Sequence, residues 1–109
     1  MKIDFASIQE EALVAFKGGE GVMHASMFVD EHNRIMRGRL PKGASIGMHT
    51  HEGSSEIIYI LSGQGFVWFD GERVNLKAGD CHYCPMGHTH SLVNDSDEDL
   101  VFMAVVPQH

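Results

Sequence analysis

Two histidines and a glutamate lie close together in the segment MHTHEGSSEIIYILSG, at residues 48–63. One residue separates His49 from His51, and side chains with this spacing project to the same face of a β-strand. The Glu-Gly-Ser-Ser sequence that follows is typical of a turn, which resets the alternation so that Glu56 opens an otherwise apolar inward row. A buried carboxylate needs a partner that offsets its desolvation. Two imidazoles and a metal ion would provide one, so we interpret these residues as metal ligands.

A further ligand is expected from another strand, and a second histidine-bearing segment, GDCHYCPMGHTHSLVN, spans residues 79–94. His88 and His90 have the same strand parity, so alternation alone does not choose between them. Cys81 and Cys84 resemble a C-x2-C metal or redox motif, but residues three apart in a strand face opposite ways, so their sulfurs are not expected to converge. We interpret four other histidines as incidental, because none has a partner in a motif: His24, His32, His82 and His109.

The composition limits the class of protein. A chain of 109 residues with 43% hydrophobic content supports one domain with a single core. The excess of 15 acidic over 8 basic side chains argues against nucleic-acid binding, which needs a cationic surface. Acidic residues interrupt the N-terminus where a signal peptide would be apolar, and the apolar run at 101–106 is too short to span a bilayer. We therefore expect a cytoplasmic protein with reduced thiols that does not enter membranes.

Short apolar stretches separated by turn signals recur along the chain and predict an all-β sandwich or barrel. The sequence FDGER at 69–73 predicts a hairpin. Ser7 and Glu10 have capping-box spacing, so residues 7–16 are expected to form either a short helix or an extended arm. Both faces of the strand at 66–69 are apolar, and a partner subunit or the N-terminal arm is expected to cover one. The predicted strands comprise residues 22–29, 35–40, 57–61, 66–69, 74–76, 92–93 and 100–106.

Both histidine-bearing segments resemble the two sequence motifs of the cupin family. The first motif, G-x5-H-x-H-x(3,4)-E-x6-G, is matched at every fixed position, by Gly43, His49, His51, Glu56 and Gly63. The second, G-x5-P-x-G-x2-H-x3-N, is matched as completely, by Gly79, Pro85, Gly87, His90 and Asn94. The motifs and the stretch between them cover residues 43–94, close to half of the chain. The resemblance is closest to the small single-domain bacterial cupins that are loosely grouped with oxalate decarboxylases.

This resemblance implies a double-stranded β-helix, or jelly-roll barrel, over residues 22–109, preceded by an N-terminal arm over residues 1–21. It selects His90 rather than His88, so the implied ligands of one divalent metal are His49, His51, Glu56 and His90. Three imidazoles and one carboxylate suit Mn²⁺, Fe²⁺, Co²⁺, Ni²⁺, Cu²⁺ or Zn²⁺ better than Ca²⁺ or Mg²⁺, and we favour manganese or iron. Cupins of this size commonly dimerise, so a homodimer is also expected.

Strand parity extends the site to a substrate pocket. Met36 is predicted to face inward, and the same parity carries Arg34 towards the mouth of the barrel, where it could clamp a carboxylate. A solvated arginine at a strand end is the competing interpretation. The inward row behind Glu56 adds Ile58 and Ile60 to the predicted pocket.

Two classes of function fit these residues. The first is a metalloenzyme acting on a small oxygenated anion, a carboxylate or a keto or hydroxy acid, with Glu56 as a ligand and as a catalytic proton acceptor. Decarboxylation, dioxygenation and isomerisation all remain open within this class. The second is a metal-dependent binding module for a sugar or a small acid, without turnover.

Overall fold

Antiparallel β-strands make up most of the computed structural model, which describes residues 1–109. Two short 3-10 turns, Phe5–Ser7 and Phe16–Gly18, lie on either side of the first strand. The ten strands, in chain order, are β1 Glu11–Val14, β2 Val22–Val29, β3 Asn33–Leu40, β4 Ser45–Thr50, β5 Glu56–Ser62, β6 Gln64–Phe69, β7 Glu72–Lys77, β8 Cys81–Cys84, β9 Thr89–Val93 and β10 Leu100–Pro107.

The strands form two sheets. The larger has six strands in the order β1-β2-β3-β10-β5-β8, and the smaller has four in the order β4-β9-β6-β7. One core contains residues from both sheets, including Ile58, Ile60 and Phe102 from the larger and Val67 and Leu92 from the smaller. The sheets therefore pack face to face, and the predicted jelly-roll fold is confirmed.

Burial alternates along the strands that approach the site, as a sheet with one face in the core requires. In β5, Glu56 and the two isoleucines that follow at alternate positions are buried, whereas Ile57 and Tyr59 are exposed. In β3, Met36 is buried and Arg37 is exposed, which confirms the predicted inward face of that strand. The sequence FDGER forms the predicted hairpin between β6 and β7, with Asp70 and Gly71 both at positive φ (49° and 84°), as a type I′ turn requires.

The N-terminal segment contains a strand and no α-helix. Residues 11–14 pair antiparallel with β2 as the edge of the larger sheet. The helix expected at 7–16 is wrong because the capping groups have other partners: the Ser7 hydroxyl donates to Asp4 (2.8 Å), and the Glu10 carboxylate accepts from Arg39 (2.9 Å). The expected extended arm is the better description. The boundary between arm and barrel at residue 21 stays a prediction.

The outer face of β6 is not covered by the arm, which lies in the other sheet. Phe66 is nevertheless buried, because the Arg73 guanidinium lies 3.8 Å above the centre of its ring. Trp68, beside it, stays 38% exposed. A cation-π contact from the neighbouring strand therefore covers Phe66 in place of the arm, which was one of the two expected covers beside a partner subunit.

Candidate metal centre

A β-bulge in β4 aims the first two histidines into the barrel. The register with β9 shifts between Ile46 and His49: Ile46 lies opposite Leu92, but His49 lies opposite His90. Three steps along β4 thus match two along β9, so β4 has one extra residue, and the bulge reverses the alternation of side chains. Ile46 and His49 consequently both point inward, while Met48 between them is exposed.

The other two predicted ligands come from different strands. Glu56 is the first residue of β5, in the larger sheet, and His90 lies within β9, in the smaller sheet. His51 follows the end of β4, held by backbone hydrogen bonds between its N–H and the His88 carbonyl (3.1 Å) and between its carbonyl and the Gly87 N–H (2.7 Å). The site therefore forms only where the two sheets meet.

The four side chains converge on one point. The Nε2 atoms of the three histidines lie 2.9–3.2 Å from one another. Glu56 Oε1 lies 2.9 Å from His90 Nε2, 3.0 Å from His51 Nε2 and 3.6 Å from His49 Nε2. Ligand atoms about 2.1 Å from one ion stand roughly 3 Å apart when they are adjacent around it. The donor atoms thus have the spacing that a single transition-metal ion requires.

Each ligand imidazole also makes a hydrogen bond through its other nitrogen. His49 Nδ1 donates to the Gly47 carbonyl (2.8 Å), which can only accept. His51 Nδ1 lies 3.1 Å from the Ser54 hydroxyl, and His90 Nδ1 lies 3.0 Å from His82 Nε2. Such partners set the tautomer and the orientation of a ligand imidazole.

His82 is the residue of the site that sequence reasoning missed. It was interpreted as incidental, yet it is 7% exposed and contacts a predicted ligand. Its inward parity in the CHYC segment, opposite to Cys81, was the available signal, but only the pairing of β8 with β5 brings it beneath His90. Cys81 is exposed and Cys84 is buried, as the same parity predicted, so the two sulfurs do not form a site.

Glu56 is buried but remains ionised. Burial is the largest influence and by itself would raise the pKa of this carboxyl. Hydrogen bonding with the His49, His51 and His90 imidazoles acts in the opposite direction and outweighs burial, so the pKa of Glu56 lies well below its ordinary value. A carboxylate with a low pKa is suited to binding a cation and poorly suited to accepting a proton near neutral pH.

A cavity of about 300 Å³ opens beside the cluster. Arg34 and Met36, two of the residues predicted for a substrate pocket, line it, and their contact with a substrate stays a prediction. The predicted lining residues Ile58 and Ile60 do not, because they are 1% and 0% exposed and belong to the packed core beneath the cluster. The complete lining is Phe16, Lys17, Arg34, Met36, Ile46, His49, Thr50, His51, Glu52, Ser54, Glu56, Val106 and Gln108.

Arg34 lines this cavity with a half-buried side chain. Its Nε is enclosed by the protein and has no hydrogen-bond partner within the chain. An unpaired donor on a charged group is costly to bury, so this guanidinium lacks the partner that usually accompanies such a donor. The choice between a substrate clamp and a solvated arginine at the strand end stays a prediction.

His88, the alternative to His90, lies outside the cluster. Its Nδ1 is 2.5 Å from the Asp70 carboxylate, its ring stacks on Phe69, and its side chain is 45% exposed. The hydrogen bond from His88 holds the pKa of Asp70 below its ordinary value. The choice of His90 is therefore consistent with the geometry.

Comparisons with known proteins agree with this fold. The family model described as "Cupin domain" matches residues 36–106. An oxalate-binding protein from Thermotoga maritima is 36% identical over 97% of this chain and 93% of its own length. The quercetin 2,3-dioxygenase of Bacillus subtilis is 37% identical, over 62% of this chain and 20% of its own length.

A solved structure extends the similarity to the whole chain. The crystal structure of a predicted oxalate decarboxylase from Thermotoga maritima superposes with a TM-score of 0.93 and 34% identity, covering 100% of both chains. No helix of the present structure has the length and apolar character needed to cross a membrane. Family model, relative and structure all coincide on the segments that carry the histidines and the glutamate, and the chain is a member of the cupin family.

Proposed function

We propose that this cupin holds one divalent transition metal, manganese or iron, through His49, His51, Glu56 and His90, and that a small dicarboxylate of the oxalate class binds beside it. The observation that carries the proposal is the shared cavity, which brings a cluster of possible metal-binding atoms together with Arg34, a half-buried arginine whose Nε has no partner in the chain. The bound metal would supply Lewis acidity and positive charge. The name of the Thermotoga maritima relative, an oxalate-binding protein, supports the choice of ligand.

Different residues of this chain would contact different parts of the ligand. Arg34 offers guanidinium N–H groups, which match a carboxylate in a charge-assisted hydrogen bond. Met36, Ile46 and Val106 form an apolar wall that lowers the local dielectric and strengthens that bond. A ligand with two adjacent carboxylates offers negative charge to both the metal and the arginine, which a neutral sugar does not.

Binding without turnover is the form of the function that the geometry supports best. Glu56 Oε1 lies within 3.6 Å of the Nε2 atoms of all three histidines, and this position favours a ligand role over the catalytic proton transfer expected for it. Enzymatic turnover of the same anion is the second candidate, favoured by one observation: the carboxylate of Glu52 lines the cavity without belonging to the metal cluster. Glu52 is the acid that would transfer a proton to a bound ligand.

The first test measures metal and oxalate together. Protein purified without a His tag is expected to contain about one Mn or Fe per chain by ICP-MS, and calorimetry should show oxalate binding to the loaded form only. Arg34→Ala should weaken oxalate binding about 10- to 100-fold, the cost of a lost charged hydrogen bond, while the metal content stays unchanged. Arg37→Ala, on the exposed face of the same strand, is the matched control and should bind normally.

Two results of this test would contradict the proposal, and a third would change its form. Equal oxalate affinity with and without metal would show that the metal takes no part in oxalate binding. An equal loss of oxalate affinity in the two arginine variants would show that Arg34 has no specific role in binding. Release of CO₂ or formate, or consumption of O₂, by the loaded protein with oxalate would replace binding by turnover, and Glu52→Gln should then abolish that activity with little effect on metal content.

We also propose that the chain forms a homodimer through the outer face of its larger sheet. Ile57, Tyr59 and Leu61 of β5 are 38%, 41% and 44% exposed, and Tyr83 of the neighbouring β8 is 55% exposed. An apolar stripe of this kind commonly marks a protein interface, and a second copy is the partner that every solution of the protein contains.

Light scattering should give twice the chain mass for the wild type, and Tyr59→Glu should give the mass of the monomer. A wild-type monomer at micromolar concentration would refute the proposal.

A further inference from the structure

The three ligand histidines are not held in the same way. His49 donates to a backbone carbonyl, whereas His51 Nδ1 contacts a hydroxyl that can either donate or accept. His90 instead contacts a second imidazole, that of His82, at 3.0 Å. Either imidazole could be the donor of this hydrogen bond, so the tautomer of His90 depends on His82.

His82 is held firmly beneath the cluster. It lies in β8 opposite Ile58 of β5, points into the barrel and is 7% exposed. The Phe69 ring packs edge-on against it, with 5.4 Å between the ring centres. Its own ring is tilted by 34° to that of His90, at 5.2 Å. Because both neighbours restrict its ring, the position of its Nε2 is set by packing.

The direction of the hydrogen bond decides whether His90 can bind a metal. If His82 donated, His90 Nδ1 would accept, and the proton of a neutral His90 would lie on Nε2, facing the Nε2 atoms of His49 and His51. Metal binding requires a lone pair at that nitrogen. If His82 accepts, the proton lies on His90 Nδ1 and the Nε2 lone pair faces the other ligands.

The chemistry of imidazole is compatible with the accepting role. A neutral imidazole has a proton on only one of its two nitrogens, so His82 can accept a hydrogen bond at Nε2.

We infer that His82 is a positioning residue for the metal centre: its Nε2 accepts the Nδ1–H of His90 and thereby holds the Nε2 lone pair of His90 towards the metal. This inference rests on the proposed metal site and adds a residue that touches neither metal nor ligand. Outer partners of this kind typically change metal affinity 10- to 100-fold when they are removed.

NMR can determine the tautomers of His90 and His82 directly. Long-range ¹H–¹⁵N correlation spectra of Zn²⁺-loaded protein should show a protonated Nδ1 on His90 and an unprotonated Nε2 on His82. A merely structural histidine would have no required tautomer. A protonated His82 Nε2 in the loaded protein would overturn the inference.

Variants test the effect on metal affinity by competition with a chelator, with Zn²⁺ as the probe. His82→Phe fills the space without an acceptor and should weaken binding about 10- to 100-fold. His82→Gln can place an amide oxygen near the position of Nε2 and should recover most of the loss. His88→Phe is the matched control, because it also changes a histidine packed against Phe69 but contacts no ligand side chain, and it should bind like the wild type.

The outcomes separate this inference from the proposed metal site. Wild-type protein that binds no metal after reconstitution would overturn both. Wild-type protein that binds metal, with His82→Phe binding equally well, would overturn only the role of His82. If His82→Phe does not fold, as judged by circular dichroism, then His82→Gln and the wild-type spectra decide.

Discussion

At the scale of single residues, the candidate metal centre has its donor atoms arranged without a metal present. The donor nitrogens of the three ligand histidines converge with one carboxylate oxygen, while their other nitrogens are occupied by hydrogen bonds from the surrounding protein. Those hydrogen bonds reduce the number of ring orientations and tautomers that metal binding would otherwise have to select. Glu56 is kept ionised by the same imidazoles, so the negative charge is available to the cation.

Cys84 is kept in its neutral form, unlike Glu56, although the two residues lie directly across from each other in the β5–β8 pair. Burial raises the pKa of its thiol to about 11, with the Glu56 charge acting in the same direction. The thiolate that reacts with iodoacetamide or binds metals is therefore scarce at pH 8. We expect mass spectrometry to find one alkylated thiol per native chain, at the exposed Cys81, and two after unfolding in denaturant. Native alkylation at Cys84 would contradict this burial.

At the scale of elements, the bulge in β4 controls the site. The N-terminal segment packs against it so closely that a Cβ on Gly47 would lie 2.0 Å from the carbonyl oxygen of Lys17. The same segment contributes Phe16 and Lys17 to the cavity wall. The N-terminal arm is therefore part of the site, through the strand that carries His49.

Gly47→Ala should disturb this contact and tilt the bulge. Added volume in a packed region typically lowers the free energy of unfolding by about 1–3 kcal/mol. Because Gly47 also accepts the hydrogen bond from His49, we expect weaker Zn²⁺ binding by chelator competition as well as lower stability to urea. Met48→Ala, at the exposed neighbouring position, should change neither property markedly. Unchanged metal affinity in the glycine variant would show that the bulge tolerates displacement.

At the scale of the whole molecule, the metal centre connects the two sheets. His90 belongs to the smaller sheet and His51 follows one of its strands, whereas Glu56 belongs to the larger sheet. A bound ion would therefore link the layers across the core. Because a ligand that binds only the folded state stabilises it by mass action, metal should raise the stability of the entire fold.

A thermal measurement tests this connection. Metal at about 1,000 times its Kd should add about 4 kcal/mol and raise Tm by at least about 10 °C over the EDTA-treated protein. The increment should shrink as pH falls, because protons compete with the metal for the imidazoles. Glu56→Gln, which removes the only ligand from the larger sheet, should lose most of the increment. A full increment in that variant would place the stabilising ion elsewhere.

The candidate ligand cluster and the fold class were predictable from the sequence because both depend on short-range patterns. Alternation of apolar residues reports the strands, and the spacing within the two cupin motifs identifies His49, His51, Glu56 and His90 without knowledge of the sheet order. The same local signal placed Met36 inward and kept Cys81 and Cys84 apart. Asn94, the last residue of the second motif, donates from its amide to the carbonyls of Leu40 and Glu98 at 2.7 Å.

Only the tertiary structure decided what surrounds those ligands. The position of His82 under His90 depends on which strand pairs with β5, and the unpaired Nε of Arg34 depends on how completely the barrel encloses it. Ile58 has the predicted inward parity but lies too deep to reach the cavity. The helix that was one alternative for residues 7–16 does not form, because Glu10 binds Arg39, which lies far along the chain. Parity gives the direction of a side chain, but depth, partners and enclosure are properties of the assembled sheets.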